Sequence, residues 1–158
     1  MRIVLQRVTR ASVTVGNDVV GAIGLGLLMF VGVAKGDDAA RSRGMARKCA
    51  ELRLFPDEAG RFDRSLVDTG GEALVVSQFT LLADVRKGRR PSLIAAADPA
   101  VAEPLIEEFA AELRRAGVGV AGGRFGAMML VESANDGPVT VIVDSDDLDR
   151  PRHAHVGA

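Results

Sequence analysis

The chain has no tryptophan, no tyrosine and a single cysteine, and its two histidines, His153 and His155, both fall in the last six positions. Each shortage removes a class of chemistry. A lone Cys49 builds no disulfide framework, and without a Cys/His cluster no zinc site is expected; a reducing, cytoplasmic setting fits that composition. Histidine, the commonest general base, is missing from the body of the chain. Long hydrophobic runs are missing too: the longest, residues 22–34, is interrupted by Gly24, Gly26 and Gly32 and is too short to cross a bilayer. The start reads as a strand, without the plan of a signal peptide. Nor is there an excess of one charge: 20 basic residues stand against 21 acidic, a net charge of -1. Any contact with nucleic acid must therefore be local. At 158 residues the chain suits one domain, and a chain of that size buries about 70% of its unfolded surface.

What is present reads as strands and two main helices. Residues 2–10, 11–15 and 19–23 have β-type patterning, the last two joined by the hairpin signal Gly16-Asn17-Asp18. Residues 26–33 form a buried strand. Asp37 or Asp38 can cap a helix over 39–54, with Met45, Cys49 and Leu52 on one face, so Cys49 is core packing rather than a reactive thiol. Residues 56–71 are polar and irregular, and 73–76 is a short strand running into Ser77-Gln78-Phe79-Thr80. A second helix follows Asp98-Pro99, with Val101, Leu105, Phe109 and Leu113 as its core stripe and Gly117 as its stop. Strands are expected over 118–120, 124–132 and 139–143, the last two joined by a hairpin turn at Asn135-Asp136-Gly137-Pro138-Val139-Thr140. The expectation is a mixed α/β single domain over 1–144, an antiparallel-rich barrel or pair of packed sheets with two main helices. Residues 145–158 read as a disordered tail.

Several constellations could carry chemistry. The Gly137-Pro138 step is the only Gly-Pro pair in the chain; proline has no N–H and tolerates a cis bond, so this turn can aim carbonyl oxygens at a ligand, or it is an ordinary turn. Ser77-Gln78-Phe79-Thr80 ends a buried strand, where backbone N–H groups run out of partners and can form an oxyanion hole. Thr80 is a nucleophile or a structural hydroxyl, and no neighbouring base activates it. Arg86, Lys87, Arg89 and Arg90 make the one dense basic cluster, a solvated loop or a phosphate contact without interleaved aromatics. Arg7 in an apolar strand faces outward or forks onto carbonyl oxygens. Gly122-Gly123-Arg124-Phe125-Gly126 has neither dinucleotide nor Walker spacing and reads as a bend. Met128 and Met129 alternate faces, one toward the core and one toward a pocket.

Together these segments resemble one family. Gln6-Arg7-Val8 with Ala11-Ser12-Val13, Ser77-Gln78-Phe79-Thr80-Leu81, Gly88-Arg89-Arg90-Pro91-Ser92, Gly123-Arg124-Phe125-Gly126-Ala127 and the Asn135 to Thr140 segment look like the D-aminoacyl-tRNA deacylases, also called the D-tyrosyl-tRNA deacylase family. Leu93, where the family commonly has Phe, and the C-terminal tail are departures. The resemblance implies an esterase that removes D-amino acids, and glycine mischarged on tRNA-Ala, from tRNA without a cofactor. It implies a homodimer in which Gly137 and a cis Pro138 of one subunit enter the other's active site and reject L side chains. Ser77, Gln78, Phe79 and Thr80 are then catalytic, and the amides around Gln78, Phe79 and Thr80 receive the substrate carbonyl. Arg7 steadies the motif's carbonyls, Asn135, Asp136, Val139 and Thr140 support it, and Arg89, Arg90, Phe125 and Met129 are candidates for pocket or tRNA contacts. A non-catalytic nucleic-acid-binding module and a dimeric small-molecule binder are the rival readings.

Overall fold

The computed structural model describes residues 1–148 and 150. Strand β1 (Arg2–Val15) is the spine of a six-stranded sheet ordered β2 (Asp18–Ile23), β1, β3 (Gly26–Gly32), β6 (Glu72–Ser77) and β7 (Gly119–Gly122), with β8 (Leu130–Asp144) also paired to β1. Residues 2–10 and 11–15, expected as two strands, are one. Two irregularities in the register with β8, between Gln6 and Val8 and between Val8 and Arg10, bend the strand without ending it. Its burial shows the consequence: Ile3 and Leu5 enter one core, whereas Val8, Ala11 and Val13 enter the other.

β2 (Asp18–Ile23) returns through the expected turn, with Gly16 at φ +61°. β3 (Gly26–Gly32) pairs antiparallel with β1 and parallel with β6. Helix α1 (Ala39–Glu51) starts at Asp38, whose carboxylate accepts from the Arg41 N–H at 2.8 Å. It stops earlier than expected because Leu52 is extended, at φ -60° and ψ 127°. The polar stretch after it is more ordered than its composition implied. It holds the hairpin of β4 (Phe55–Pro56) and β5 (Phe62–Arg64), then a single turn α2 (Leu66–Thr69) with a reciprocal Ser65–Asp68 capping box.

β6 (Glu72–Ser77) leads into a 3-10 turn, Phe79–Leu82. Helix α3 (Pro99–Arg115) buries Leu105, Phe109 and Leu113, but Val101, expected in that stripe, is 50% exposed. Asp98 stands at the N-cap without a side-chain capping bond. β7 (Gly119–Gly122) runs parallel to β6, and the sheet nearly closes where β2 meets β7. A side chain on Gly21 would collide there with the Gly122 carbonyl, so only glycine permits the approach.

The hairpin expected at Gly137-Pro138 is absent. β8 (Leu130–Asp144) is one strand antiparallel to β1 along nearly its whole length. Gln6 faces Thr140 and Val8 faces Asn135, so four residues, 136–139, bulge out opposite Arg7 alone. A fourteen-residue partner keeps the chain in register on both sides, so the backbone loops out and carries on instead of reversing. The strand expected from 124 likewise begins only at Leu130. Residues Ser145–Leu148, expected in the tail, form a helical turn, α4, with Ser145 buried; the rest of that expectation, His153 and His155 included, lies outside the described residues.

One core lies between the sheet and helices α1 and α3, built on Leu27, Met29, Cys49, Phe109 and Leu113. The other fills the barrel side, with Leu28, Leu74 and Val76. β3 and β6 are thus buried on both faces, as parallel strands usually are.

Candidate functional site

The bulge on β8 is braced by its own side chains. The Asn135 carboxamide accepts the Val139 N–H at 2.9 Å and donates to Thr140 Oγ1 at 3.0 Å, and Gln6 reaches the same hydroxyl at 3.3 Å. Asn135 thereby closes the loop as a pair of strand hydrogen bonds would. The Gly137–Pro138 bond is cis, and Gly137 has φ +122°. A Cβ there would meet Val139 Cγ2 at 2.7 Å, Val139 N at 3.0 Å and Arg7 Nη2 at 3.1 Å. Glycine is therefore required twice over, by conformation and by space. Both Gly137 and Pro138 are exposed, whereas Val139 is buried.

Arg7 stands directly behind the bulge, 7% exposed. Its Nη1 donates to the Leu54 carbonyl at 2.7 Å. Its Nε lies 3.0 Å from Asp136 Oδ2, close enough for an ion pair but off the N–H direction, so Nε is a buried polar atom without a hydrogen bond. The pair attracts all the same, because Coulomb attraction tolerates misalignment and a hydrogen bond does not. The outward-facing reading of Arg7 does not hold, since the side chain is buried; of the expected fork onto carbonyl oxygens a single hydrogen bond is seen, to Leu54. Among the described residues Arg7 reaches the motif through Asp136, and no hydrogen bond joins it to the Gly137 or Pro138 carbonyl.

Ser77, Gln78, Phe79 and Thr80 leave the end of β6. Gln78 N–H is already committed to the Val31 carbonyl at 2.9 Å. The N–H groups of Phe79 and Thr80 begin the 3-10 turn and have no partner among the described residues, so the pair, not the trio, is open to an oxygen. The Gln78 amide donates to Thr80 Oγ1 at 2.5 Å. That contact supplies a proton donor, not a base, to the hydroxyl.

A cleft of about 570 Å³ opens beside Ser77, between α3 and the ends of β6 and β7. Phe125 and Met129 line it with Ile106 and Ala110, and Glu103, Glu107, Arg114 and Arg124 add charge. Met129 also packs on the second core, while Met128 is 92% exposed. A larger depression, about 670 Å³, lies between α1 and α4 and holds none of the expected site residues. The smaller cleft is the one that reaches Ser77, two residues before the first open amide.

The basic loop is closed by backbone bonds between Asp84 and Ser92, at 2.8 and 2.9 Å. Arg86 is spent within it: its guanidinium binds Asp84 and holds that carboxyl down to about 2. Lys87, Arg89 and Arg90 are exposed and make no ion pair among the described residues. Cys49 is buried, which pushes its thiol up to about 12 and leaves it unreactive. No group of three or more His, Cys, Asp or Glu side chains among the described residues could hold a metal, and no helix among them is long and apolar enough to cross a membrane.

The structure thus makes separate clusters of the expected residues. Arg7 and Asn135 to Thr140 form one, Gln78 to Thr80 a second, and Ser77, Phe125 and Met129 a third in the cleft. Register separates the first two: Ser77 faces Val31, which faces Ile3, four residues along β1 from Arg7, and β6 and β8 are three strand spacings apart. At about 3.3 Å per residue and about 4.8 Å per strand, the bulge stands on the order of 15–20 Å from the turn of its own chain.

The sequence profile of D-Tyr-tRNA(Tyr) deacylase matches residues 4–144. The chain belongs to this family. A D-aminoacyl-tRNA deacylase from Roseiflexus sp. (strain RS-1) is 61% identical over 155 residues, covering 98% of this chain and 100% of the relative. One of the same name from Chloroflexus aurantiacus is 58% identical, covering 98% and 96%. A solved structure named c-Myc DNA Unwinding Element Binding Protein superposes with a TM-score of 0.84 at 41% identity, over 91% of this chain and 98% of that one. A probable eukaryotic D-amino acid tRNA deacylase shares the fold, with a TM-score of 0.80 at 18% identity, over 90% and 97%. Within the deacylase family frame, Leu54 and Phe62 are the contacts that reading the sequence missed. Leu54 acts through its backbone and leaves no signal, but Phe62 is the one aromatic in the polar run 57–64.

Proposed function

We propose that the chain hydrolyses the ester between a D-amino acid and the terminal ribose of tRNA in the cytoplasm, as a homodimer whose Gly137-Pro138 bulges reject L-amino acids across the interface. One observation carries this reading: a braced backbone bulge, without any reactive side chain, stands far from the open amides of its own chain. A second copy brings bulge and amides together. β8 is an edge strand whose outer face exposes Ile142 to 67%, and its cross-strand neighbours in β1 and β3 are Val4 and Phe30. An unpaired apolar edge of this kind needs cover.

In the assembled site the Phe79 and Thr80 amides bind the substrate carbonyl oxygen and the charge that grows on it. Water attacks the ester carbonyl carbon, and the neighbouring ribose hydroxyl relays its proton to the departing ribose oxygen, because no residue beside Thr80 can take the Thr80 proton. The bulge's carbonyls occupy the space that an L side chain would need; a D side chain points away, and glycine has none, so glycyl-tRNA, such as that mischarged on tRNA-Ala, is also hydrolysed. Phe125 and Met129 give apolar contact to the terminal nucleoside in the cleft beside Ser77. Lys87, Arg89 and Arg90 meet phosphates. Residues 1–144 carry the activity.

Purified protein given matched D- and L-aminoacyl-tRNA decides the matter. Release of the D-amino acid alone is expected, and equal release of both would sink the filter. Salt-sensitive binding of nucleic acid with no ester hydrolysis would instead favour a binding module. The unpaired cations of the loop are the observation behind that second reading.

A further inference from the structure

The geometry points to Phe62 as a positioning residue: with the β4–β5 hairpin it forms a strut that fixes the Gly137-Pro138 bulge through Arg7. For its effect on chirality, this rests on the proposed filter. The hairpin is a two-stranded sheet apart from the main one, an arrangement that is marginal without other support. Phe55, 2% exposed, roots it in the core, and the Arg53–Asp63 and Arg61–Asp57 pairs brace it at 2.9 and 2.8 Å. What this bracing presents is the Phe62 ring, 58% exposed, with its centroid 5.7 Å from Arg7 Cζ. An exposed phenylalanine held over a buried guanidinium is a cation–π contact.

A guanidinium is planar, and fixing it requires an edge and a face. The bulge alone supplies a poor edge: the Asp136 carboxylate is close to Nε but misaligned with its N–H. The better edge is the Leu54 carbonyl at 2.7 Å, and the face is Phe62. Both come from the stretch that runs from the end of α1 into β5. The third nitrogen, Nη2, backs directly onto Gly137, where an added Cβ would come within 3.1 Å. A tilt of the guanidinium therefore moves the wall against which Gly137 rests. The hairpin reaches the filter through this one side chain, although it lies in neither of the motifs.

The test compares Phe62→Leu with Phe62→Tyr in the full chain, by two readouts. One is hydrogen exchange at the Arg7 Nε–H in arginine-labelled protein; the other is the ratio of D- to L-aminoacyl-tRNA hydrolysis. Phe62→Leu should speed the exchange and lower the ratio about two- to fivefold, the worth of a partly exposed cation–π contact, whereas Phe62→Tyr should keep both near the wild-type values. Wild-type behaviour of Phe62→Leu in both readouts, or an equal loss in Phe62→Tyr, would overturn the strut. Should the wild-type protein itself show no preference for D esters, the filter fails and the exchange readout alone decides the strut. Thermal midpoints confirm that each variant is folded.

Discussion

Residues 135–140 and residues 77–80 both interrupt regular strand geometry, and they do so in opposite ways. The first segment leaves β8 and rejoins it, with Asn135 bonded at both ends of its amide, Thr140 receiving two donors, and Arg7 packed behind. The second simply runs off the end of β6, with one side-chain contact between Gln78 and Thr80 and two amides left open. A segment that must exclude a wrong substrate has to resist being pushed. A segment that must receive a developing charge has to keep donors unspent until the substrate arrives. In the proposed function, bracing marks the selective element and open donors mark the reactive one.

The largest effect should come from breaking the braced side. Gly137→Ala adds a Cβ against Val139 and Arg7 at a φ of +122°, so the bulge must rearrange. Hydrolysis of L-aminoacyl-tRNA is expected to rise about a hundredfold relative to D, with a stability loss of about 1–3 kcal/mol. Unchanged rejection of L esters would show that the bracing serves no selection. Next comes the loop beyond the open turn. Charge reversal at Arg89 and Arg90 should weaken tRNA binding and make the slope of log affinity against log salt shallower by about two. An unaltered slope would remove both residues from the phosphate contacts.

Smaller still is the expected cost of Thr80→Ala. Single-turnover hydrolysis should stay within about tenfold of wild type, since the proposed mechanism rests on amides and ribose; a loss beyond about a thousandfold would place the hydroxyl in the reaction. The least effect is that of acid on the Asp84–Arg86 tie. Hydrogen bonds from Arg86 draw the Asp84 carboxyl from 3.8 to about 2. A depressed carboxyl stabilises the loop fully above about pH 4 and loses that contribution as pH falls through about 2. Protease cleavage within 85–91 should therefore rise as pH falls from about 4 to about 2; cleavage unchanged over that range would mean the tie is unimportant.

Much of the fold was legible because it depends on local pattern. The Gly16 turn, the Asp38 cap and the buried stripe of α3 follow from residues within a few positions of one another. The errors share a cause. Arg10 looked like a strand end, and Gly137-Pro138 looked like a reversal, because each breaks local periodicity; β1 and β8 carry the chain through both. Val101 fits the helical stripe yet is half exposed, because in the first turn of α3 it is Ala102 that packs against the core. The polar run after α1 gave no periodic signal, though Ser65 and Asp68 stand at capping-box spacing.

The sequence by itself determined the inventory of this protein: its family, its poverty in side-chain acids and bases, its glycines, and the segments whose backbone has work to do. Only the tertiary structure decided that the Gly-Pro step is a bulge in a continuous strand, that Arg7 is shared between Leu54 and Asp136 beneath Phe62, and that the bulge stands strands away from the open amides. The physical reason is that hydrophobic patterning and turn preference act over a few residues. Strand register and the neighbours of a buried charge are set by partners distant in sequence, and no local pattern encodes them.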